Sequence, residues 1–146
     1  MTIVVFVCNW DGLSCVEAAA EAGLSYPASI SIVRVSCLSR LNGGLILKAF
    51  ELGADGVMVV GCTSESCNFG MDSTALEQEY ENVRRLLALL GLGEERLALY
   101  RVSRGDGSGF VKRVNSFAAG LQAGKPDAGT PSRRRQKAPR TQTRLI

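Results

Sequence analysis

The sequence predicts an α/β protein in which a parallel sheet of about four strands is covered by helices on both faces. Three observations lead to this prediction: short apolar runs rich in β-branched residues, amphipathic stretches between them, and glycines where those stretches end. Strands buried on both faces are continuous apolar runs and not alternating patterns. Strands that alternate with helices indicate βαβ units and therefore a parallel, three-layer arrangement.

Four apolar segments are the predicted strands, and they cover residues 3–7, 30–35, 56–60 and 97–102. The first (Ile-Val-Val-Phe-Val) has no polar position, as expected for a strand that is buried on both faces. A long loop, from Gly61 to about Asp72, separates the third strand from the next helix. We expect a flavodoxin-like strand order of 2-1-3-4.

The first two helices are predicted from their caps and from apolar spacing. Ser14 and Glu17 match a capping box, so the first helix is expected to begin at Ser14 and to end at Gly23. Asn42 is the expected N-cap of the second helix, and Gly53 ends it. The apolar residues predicted to share a face of this helix are Leu45, Ile46, Ala49 and Phe50.

The third and fourth helices show the clearest apolar periodicity. Thr74 and Glu77 match a second capping box, and Gly91 is expected to end the third helix. Its apolar positions recur at spacings of four and three: Leu76, Tyr80, Val83, Leu87 and Leu90. The fourth helix presents a similar face: Phe110, Val114, Phe117 and Leu121.

The net charge of +3 conceals a difference between two parts of the 146-residue chain. Residues 1–124 are mildly acidic and contain the predicted core, whereas residues 125–146 are basic and nearly free of apolar side chains. Such a segment cannot offset its ordering entropy by burial. We therefore predict one folded domain, residues 1–124, and a disordered basic tail, residues 125–146, with no specific nucleic-acid ligand.

Composition also excludes several classes of protein. No apolar run approaches the length of about 20 residues that a membrane span needs, and the N-terminal apolar run is too short for a signal peptide. We therefore expect a cytoplasmic protein without membrane contact. The chain has no histidine, which excludes Ser–His triads, histidine-ligated haem and Cys/His zinc sites within it.

Five cysteines are the candidate functional residues: Cys8, Cys15, Cys37, Cys62 and Cys67. Three of them follow the first three strands, Cys67 lies in the loop after the third, and Cys15 lies in the first turn of the first predicted helix. Ligands of open α/β sheets bind outside the carboxyl ends of the strands. We therefore expect four or five thiols to converge at that edge, with none of them in the interior of a strand or helix.

Several chemistries are compatible with such a thiol cluster. Four thiolates can bind zinc or an iron–sulfur cluster, and the Cys62-x4-Cys67 spacing is a weak signal for the latter. A Cys-x-x-Cys redox motif is absent. A catalytic cysteine would need Asp11, Glu65 or a lysine as its base. Alternatives are a zinc-stabilised assembly module without redox activity and, more weakly, a flavodoxin-like FMN carrier.

Groups around the cysteines bear on the same question. A thiolate-bound cluster is anionic and is stabilised by helix N-termini and cations. The segments at Ser14 and Asn42 are predicted to supply two helix N-termini at this edge, and Arg40 is a candidate cation. Trp10 is expected either to shield the site or to pack in the core.

Four motifs occur in order: residues 5–10 (VFVCNW), 34–40 (RVSCLSR), 46–57 (ILKAFELGADGV), and Gly61-Cys62 with Cys67. Together they resemble the iron–sulfur delta subunit family of methyl-viologen-reducing (F420-non-reducing) hydrogenase. The resemblance extends from about Ile3 to Gly120 and does not include the tail.

This resemblance implies a [2Fe–2S] protein that transfers single electrons as a non-catalytic subunit of a larger oxidoreductase. It implies two partners: a hydrogenase or another dehydrogenase, and a flavin-containing heterodisulfide-reductase-like subunit. By the same resemblance, the cluster ligands are Cys8, Cys37, Cys62 and Cys67.

The chain departs from the family pattern at two places. The family usually has Cys-Asn-Trp-Cys where this chain has Asp11 in the last position, so Cys15 or Asp11 is an alternative ligand. The family also has histidines beside the cysteines of the third-strand loop, where this chain has Thr63 and Asn68. Both departures leave the four matching thiols in place.

Overall fold

A four-stranded parallel sheet forms the centre of the computed structural model, which describes residues 1–70 and 72–124. The strands are β1 (Ile3–Cys8), β2 (Ile30–Val35), β3 (Gly56–Gly61) and β4 (Leu97–Arg101). Their order in the sheet is β2-β1-β3-β4, and all pairs are parallel. The predicted fold class and strand order are confirmed.

Two helices cover each face of the sheet. They are α1 (Asp11–Glu21), α2 (Gly43–Glu51), α3 (Ser73–Leu89) and α4 (Gly107–Ala123), and short 3-10 turns span Leu38–Arg40 and Glu94–Arg96. Helices α1 and α4 pack together on one face, and α2 and α3 pack on the other. The apolar face predicted for α4 is buried as expected.

Alternation along the central strands divides the core into two clusters. In β1, Val5 and Val7 point towards α1 and α4, whereas Phe6 and Cys8 point towards α2 and α3. Successive side chains of a strand point to opposite faces, so the register of β1 assigns Cys8 to the α2–α3 face. Burying each valine side chain contributes about 1.5–3 kcal/mol to this register.

Two predicted helix starts are wrong. Helix α1 begins at Asp11 and not at Ser14, and α3 begins at Ser73, capped by the Asp72 carboxylate, which accepts a hydrogen bond from the Thr74 N–H. The Ser14 hydroxyl is used elsewhere, because it donates to the Asp11 carbonyl and accepts from the N–H of Gly105. The Ser14 side chain, which the local sequence pattern assigns to capping, is therefore bonded to the loop between β4 and α4.

The other helix signals are confirmed with two exceptions. Asn42 caps α2 by accepting from the Leu45 N–H, and Gly23 and Gly53 end their helices with positive φ angles. Leu45 and Leu90, which were predicted to lie on buried faces, are 45% and 64% exposed. Leu45 lies beside the edge strand β2 and Leu90 is the residue after α3, so neither faces the interior.

The helices in the described residues include none that is both long and apolar enough to cross a membrane. The predicted basic tail, residues 125–146, lies outside the described residues, so its disorder remains a prediction.

Candidate functional site

Four of the five cysteines belong to the apolar cluster between the sheet and helices α2 and α3. Cys8, Cys37 and Cys62 are buried in that cluster, and the half-buried Cys67 packs against it. Cys8 is the last residue of β1, and Cys62 directly follows β3. The Sγ atoms of these two residues are 3.7 Å apart. The predicted meeting of thiols at the carboxyl edge is thus confirmed for Cys8 and Cys62.

Cys15 is separated from this group. It lies inside α1, in the core cluster on the opposite face of the sheet, and its thiol donates to the Ser103 carbonyl at 3.1 Å. The prediction that no cysteine lies in the interior of a helix is therefore wrong for Cys15, because α1 begins three residues earlier than the capping box indicated. The structure does not bring its thiol to the Cys8–Cys62 pair.

The thiol pair lies in a dry environment with one backbone donor. Burial raises the pKa of the Cys62 thiol to about 12, and the neighbouring thiols of Cys8 and Cys67 contribute further to the increase. The N–H of Gly12 donates to the Cys8 sulfur at 3.2 Å. At neutral pH the Cys62 thiol therefore keeps its proton unless a cation displaces it.

Gly12 allows α1 to approach the thiol pair closely. A Cβ atom at this position would lie 2.8 Å from the carbonyl oxygen of Val60 and 3.3 Å from the Cys8 sulfur. A side chain would therefore push the start of α1 away from the ends of β1 and β3. The glycine lets the helix N-terminus present its N–H to the sulfur.

Only one of the two predicted helix N-termini is available to the cysteines. The first turn of α1 contacts Cys8 through Gly12, as described above. The N-terminus of α2 is already occupied, because the Glu79 carboxylate accepts from the Gly43 N–H at 2.6 Å. The expected cation, Arg40, is exposed and lines a surface cleft of about 670 Å³ beside Cys37.

Sequence reasoning missed a second arginine, which contacts the backbone of Cys62. Arg101, the last residue of β4, donates from one terminal nitrogen to the Cys62 carbonyl at 3.0 Å. Its other terminal nitrogen is buried without a hydrogen-bond partner, and the nearest carboxylate oxygen, from Glu77, is 3.7 Å away. Its position at the carboxyl end of a strand was the signal that identified the cysteines and could have identified Arg101.

Asp11, the alternative ligand, is buried and already has two hydrogen-bond donors. Its Oδ1 accepts from the Arg104 Nε at 2.9 Å, and its Oδ2 accepts from the Ser66 hydroxyl at 2.6 Å. The Thr63 and Ser66 hydroxyl oxygens are 3.0 Å apart and extend the network. Sequence reasoning identified Asp11 and missed Arg104 and Ser66.

Trp10 lies at the surface of the site and not in the core. It is 41% exposed and makes an edge-to-face contact with Phe69, which is 60% exposed, at a centroid separation of 6.1 Å. Core packing, one of the two expectations for Trp10, is therefore wrong.

The profile of the protein family described as the delta subunit of methyl-viologen-reducing hydrogenase matches residues 3–123. The chain belongs to this family. The match covers all four strands and all four helices, and it stops just before the basic tail.

Individual relatives fall into two groups, and those of the first are similar in length to this chain. The chain is 31% identical over 120 residues to the vhu iron–sulfur subunit of the F420-non-reducing hydrogenase of Methanocaldococcus jannaschii, covering 82% of this chain and 90% of that protein. It is 32% identical over 124 residues to the vhc iron–sulfur subunit of the same kind of hydrogenase from Methanococcus voltae, covering 85% and 86%.

The second group contains much longer proteins. The chain is 29% identical over 120 residues to a subunit of the ferredoxin/F420H2-dependent CoB–CoM heterodisulfide reductase of Methanosarcina acetivorans. That match covers 82% of this chain but only 15% of the relative. A segment similar to this chain therefore also occurs as a small part of a larger polypeptide.

The sulfur atoms of Cys8 and Cys62 in this chain are spaced as two ligands of one metal ion would be. Two thiolates about 2.3 Å from one tetrahedral metal ion lie about 3.8 Å apart, close to the 3.7 Å between Cys8 and Cys62. Within residues 1–70 and 72–124, no three His, Cys, Asp or Glu side chains are arranged to share one metal ion. Cys8 and Cys62 are thus candidate metal ligands, and they share their apolar cluster with Cys37, while Cys67 packs against it.

Proposed function

We propose that the protein is an electron-transfer subunit that holds one [2Fe–2S] cluster on Cys8, Cys37, Cys62 and Cys67. The observation that carries the proposal is the contact between the Cys8 and Cys62 thiols at the carboxyl edge of the sheet, within the cluster that contains Cys37 and against which Cys67 packs. Each iron of such a cluster takes two protein thiolates. The 3.7 Å separation of the Cys8 and Cys62 sulfurs suits two ligands of one iron.

The surroundings of the pair support an anionic cofactor. The Gly12 N–H donates to sulfur, and the Arg101 guanidinium, whose other terminal nitrogen lies 3.7 Å from a Glu77 carboxylate oxygen, adds positive charge beside Cys62. When bound, the cluster supplies one-electron transfer at a potential set by its charge, its hydrogen bonds and its exposure. The chain's own groups position the sulfurs, exclude water from their inner side and supply the nearby cation.

The partners follow from the relatives. We propose that electrons enter from a hydrogenase or another dehydrogenase subunit and leave to a flavin-containing, heterodisulfide-reductase-like subunit. The support is that relatives of similar length are named as hydrogenase iron–sulfur subunits, whereas in Methanosarcina a segment similar to this chain lies within a heterodisulfide reductase polypeptide. Parts that are joined in one chain in some organisms are expected to be partners in others.

Iron and acid-labile sulfide analysis of the full chain, purified without oxygen, tests the proposal. We expect about two irons and two sulfides per chain and a visible absorption that bleaches on reduction. Cys62→Ser should lose this absorption. Cys15→Ser is the matched control, because it makes the same change on the opposite face and should keep the cluster.

Zinc is the competing occupant, since the 3.7 Å sulfur separation suits zinc and iron equally. A colourless protein with stoichiometric zinc and no sulfide would replace the electron-transfer proposal with a zinc-stabilised assembly module. A complete cluster in Cys62→Ser would contradict the ligand assignment.

A further inference from the structure

Asp11 connects three segments at the carboxyl edge of the sheet. It is the first residue of α1, and its carboxylate is hydrogen bonded to Arg104 in the loop between β4 and α4 and to Ser66 in the loop between β3 and α3. The Ser14 hydroxyl adds a second connection between α1 and the β4–α4 loop through Gly105. The start of α1 is thereby bound to both loops.

Because Asp11 is buried, its carboxylate depends on the hydrogen bonds from Arg104 and Ser66. The side chain is 1% exposed, whereas its arginine partner is 61% exposed. A carboxylate so far from water is stable only when its oxygens are hydrogen bonded or paired with a cation. Each oxygen has one close donor, so the Ser66 hydroxyl cannot turn away without leaving Oδ2 without its partner.

The Ser66 contact transmits this constraint to the neighbouring cysteine. The hydroxyl proton of Ser66 is directed at Asp11, so the Thr63 hydroxyl, 3.0 Å away, donates to Ser66. Cys67 follows Ser66 directly, and its carbonyl accepts from the Gly70 N–H at 3.1 Å. The loop segment that carries Cys67 is thus bound to α1 at one end and closed by a turn at the other.

We infer that Asp11 is a positioning residue that holds Cys67 beside the Cys8–Cys62 pair through Ser66, and that it does not itself bind the metal. The inference rests on the proposed function for its purpose, because Cys67 needs a defined position only if it is a ligand. At the place where the family pattern has a cysteine, this chain has a residue that orders a different cysteine.

Alkylation of the metal-free full chain by N-ethylmaleimide, followed cysteine by cysteine with mass spectrometry, tests the positioning directly. We expect Ser66→Ala and Asp11→Ala each to accelerate modification of Cys67 about tenfold, since a hydrogen bond to a charged group is lost. Modification of the buried Cys37 should keep its rate. Glu81→Gln, which breaks an exposed carboxylate–arginine pair on α3, is the control and should change neither rate.

An unchanged alkylation rate of Cys67 in both variants would overturn the inference. An equal increase in the alkylation rates of Cys67 and Cys37 would also overturn it, because it would indicate that the whole structure has loosened. Iron and sulfide loading provides the second readout. A positioning role predicts that Ser66→Ala and Asp11→Ala lower the loading alike and leave the same spectrum in the loaded fraction. A spectrum altered by Asp11→Ala alone would make Asp11 a ligand and overturn the inference.

The two proposals fail in different ways. A parent protein that binds no iron and sulfide after anaerobic reconstitution contradicts the proposed function. The alkylation rates then still decide whether Asp11 positions Cys67.

Discussion

The Sγ atoms of Cys8 and Cys62 lie 3.7 Å apart although 54 residues separate them in the chain. Two features produce this contact: β1 and β3 are adjacent and parallel, and each cysteine stands where its strand ends. Parallel neighbours always end at the same edge of a sheet. The pair is therefore a direct consequence of the strand order.

Gly12→Ala should destabilise the protein. The new Cβ would lie 2.8 Å from the Val60 carbonyl oxygen, and backbone cannot move aside as a flexible side chain can. We expect the free energy of unfolding in urea to fall by about 1–3 kcal/mol, as for other overpacked sites. Gly120→Ala in α4 is the matched control, because its Cβ meets nothing within 4 Å and should add about 0.5–1 kcal/mol.

Removing the Asn42 cap should weaken α2 specifically. Its side chain accepts from the Leu45 N–H, and Asn42→Ala leaves that donor without a protein partner. We expect a loss of about 1 kcal/mol in urea unfolding. Asn42→Asp should retain most of the stability, since a carboxylate accepts the same bond; equal losses in both variants would contradict the capping role.

Arg101→Gln should lower the reduction potential of the proposed cluster. Reduction adds a negative charge, and the Arg101 guanidinium beside the Cys62 carbonyl favours that charge. The expected decrease is on the order of tens of millivolts, and an anaerobic redox titration measures it. Arg113→Gln removes a cation that pairs with Asp106 at the start of α4 and should leave the potential unchanged.

Stability should fall at alkaline pH in part because of Cys15. Burial raises the pKa of its thiol above the ordinary value of 9.0. Above pH 9 the unfolded chain therefore loses this proton while the folded chain retains it, so the contribution is present below that pH and is lost as pH rises through the folded value. In reducing buffer, Cys15→Ala should show a shallower decline in unfolding free energy above pH 9; an identical slope would exclude this contribution.

Sequence patterns predicted the sheet well because its determinants are local. The apolar run in β1 and the glycines after α1 and α2 act within a few residues, and the strand-end rule then located Cys8 and Cys62. The Asp11 network was not predictable in this way. Its two partners, Ser66 and Arg104, are 55 and 93 residues away, and neither has a local pattern that marks it.

The errors in the predicted site have the same origin. Ser14 was assigned to capping, but Gly105, 91 residues further along the chain, uses its hydroxyl. Cys15, an expected member of the site, lies within α1 in the core cluster on the opposite face of the sheet. The residues at the start of α1, Asp11 and Ser14, both bond to distant loops that a local capping pattern does not reveal.

The position of Trp10 gives the protein an intrinsic optical probe of its own site. It is the only tryptophan in the chain, it directly precedes α1 two residues after Cys8, and it is partly open to water. A strongly absorbing group bound at the cysteines would quench the fluorescence of Trp10, whereas zinc, which does not absorb visible light, would not quench it. The fluorescence of the untreated protein therefore distinguishes the two occupants without labels or destructive assays.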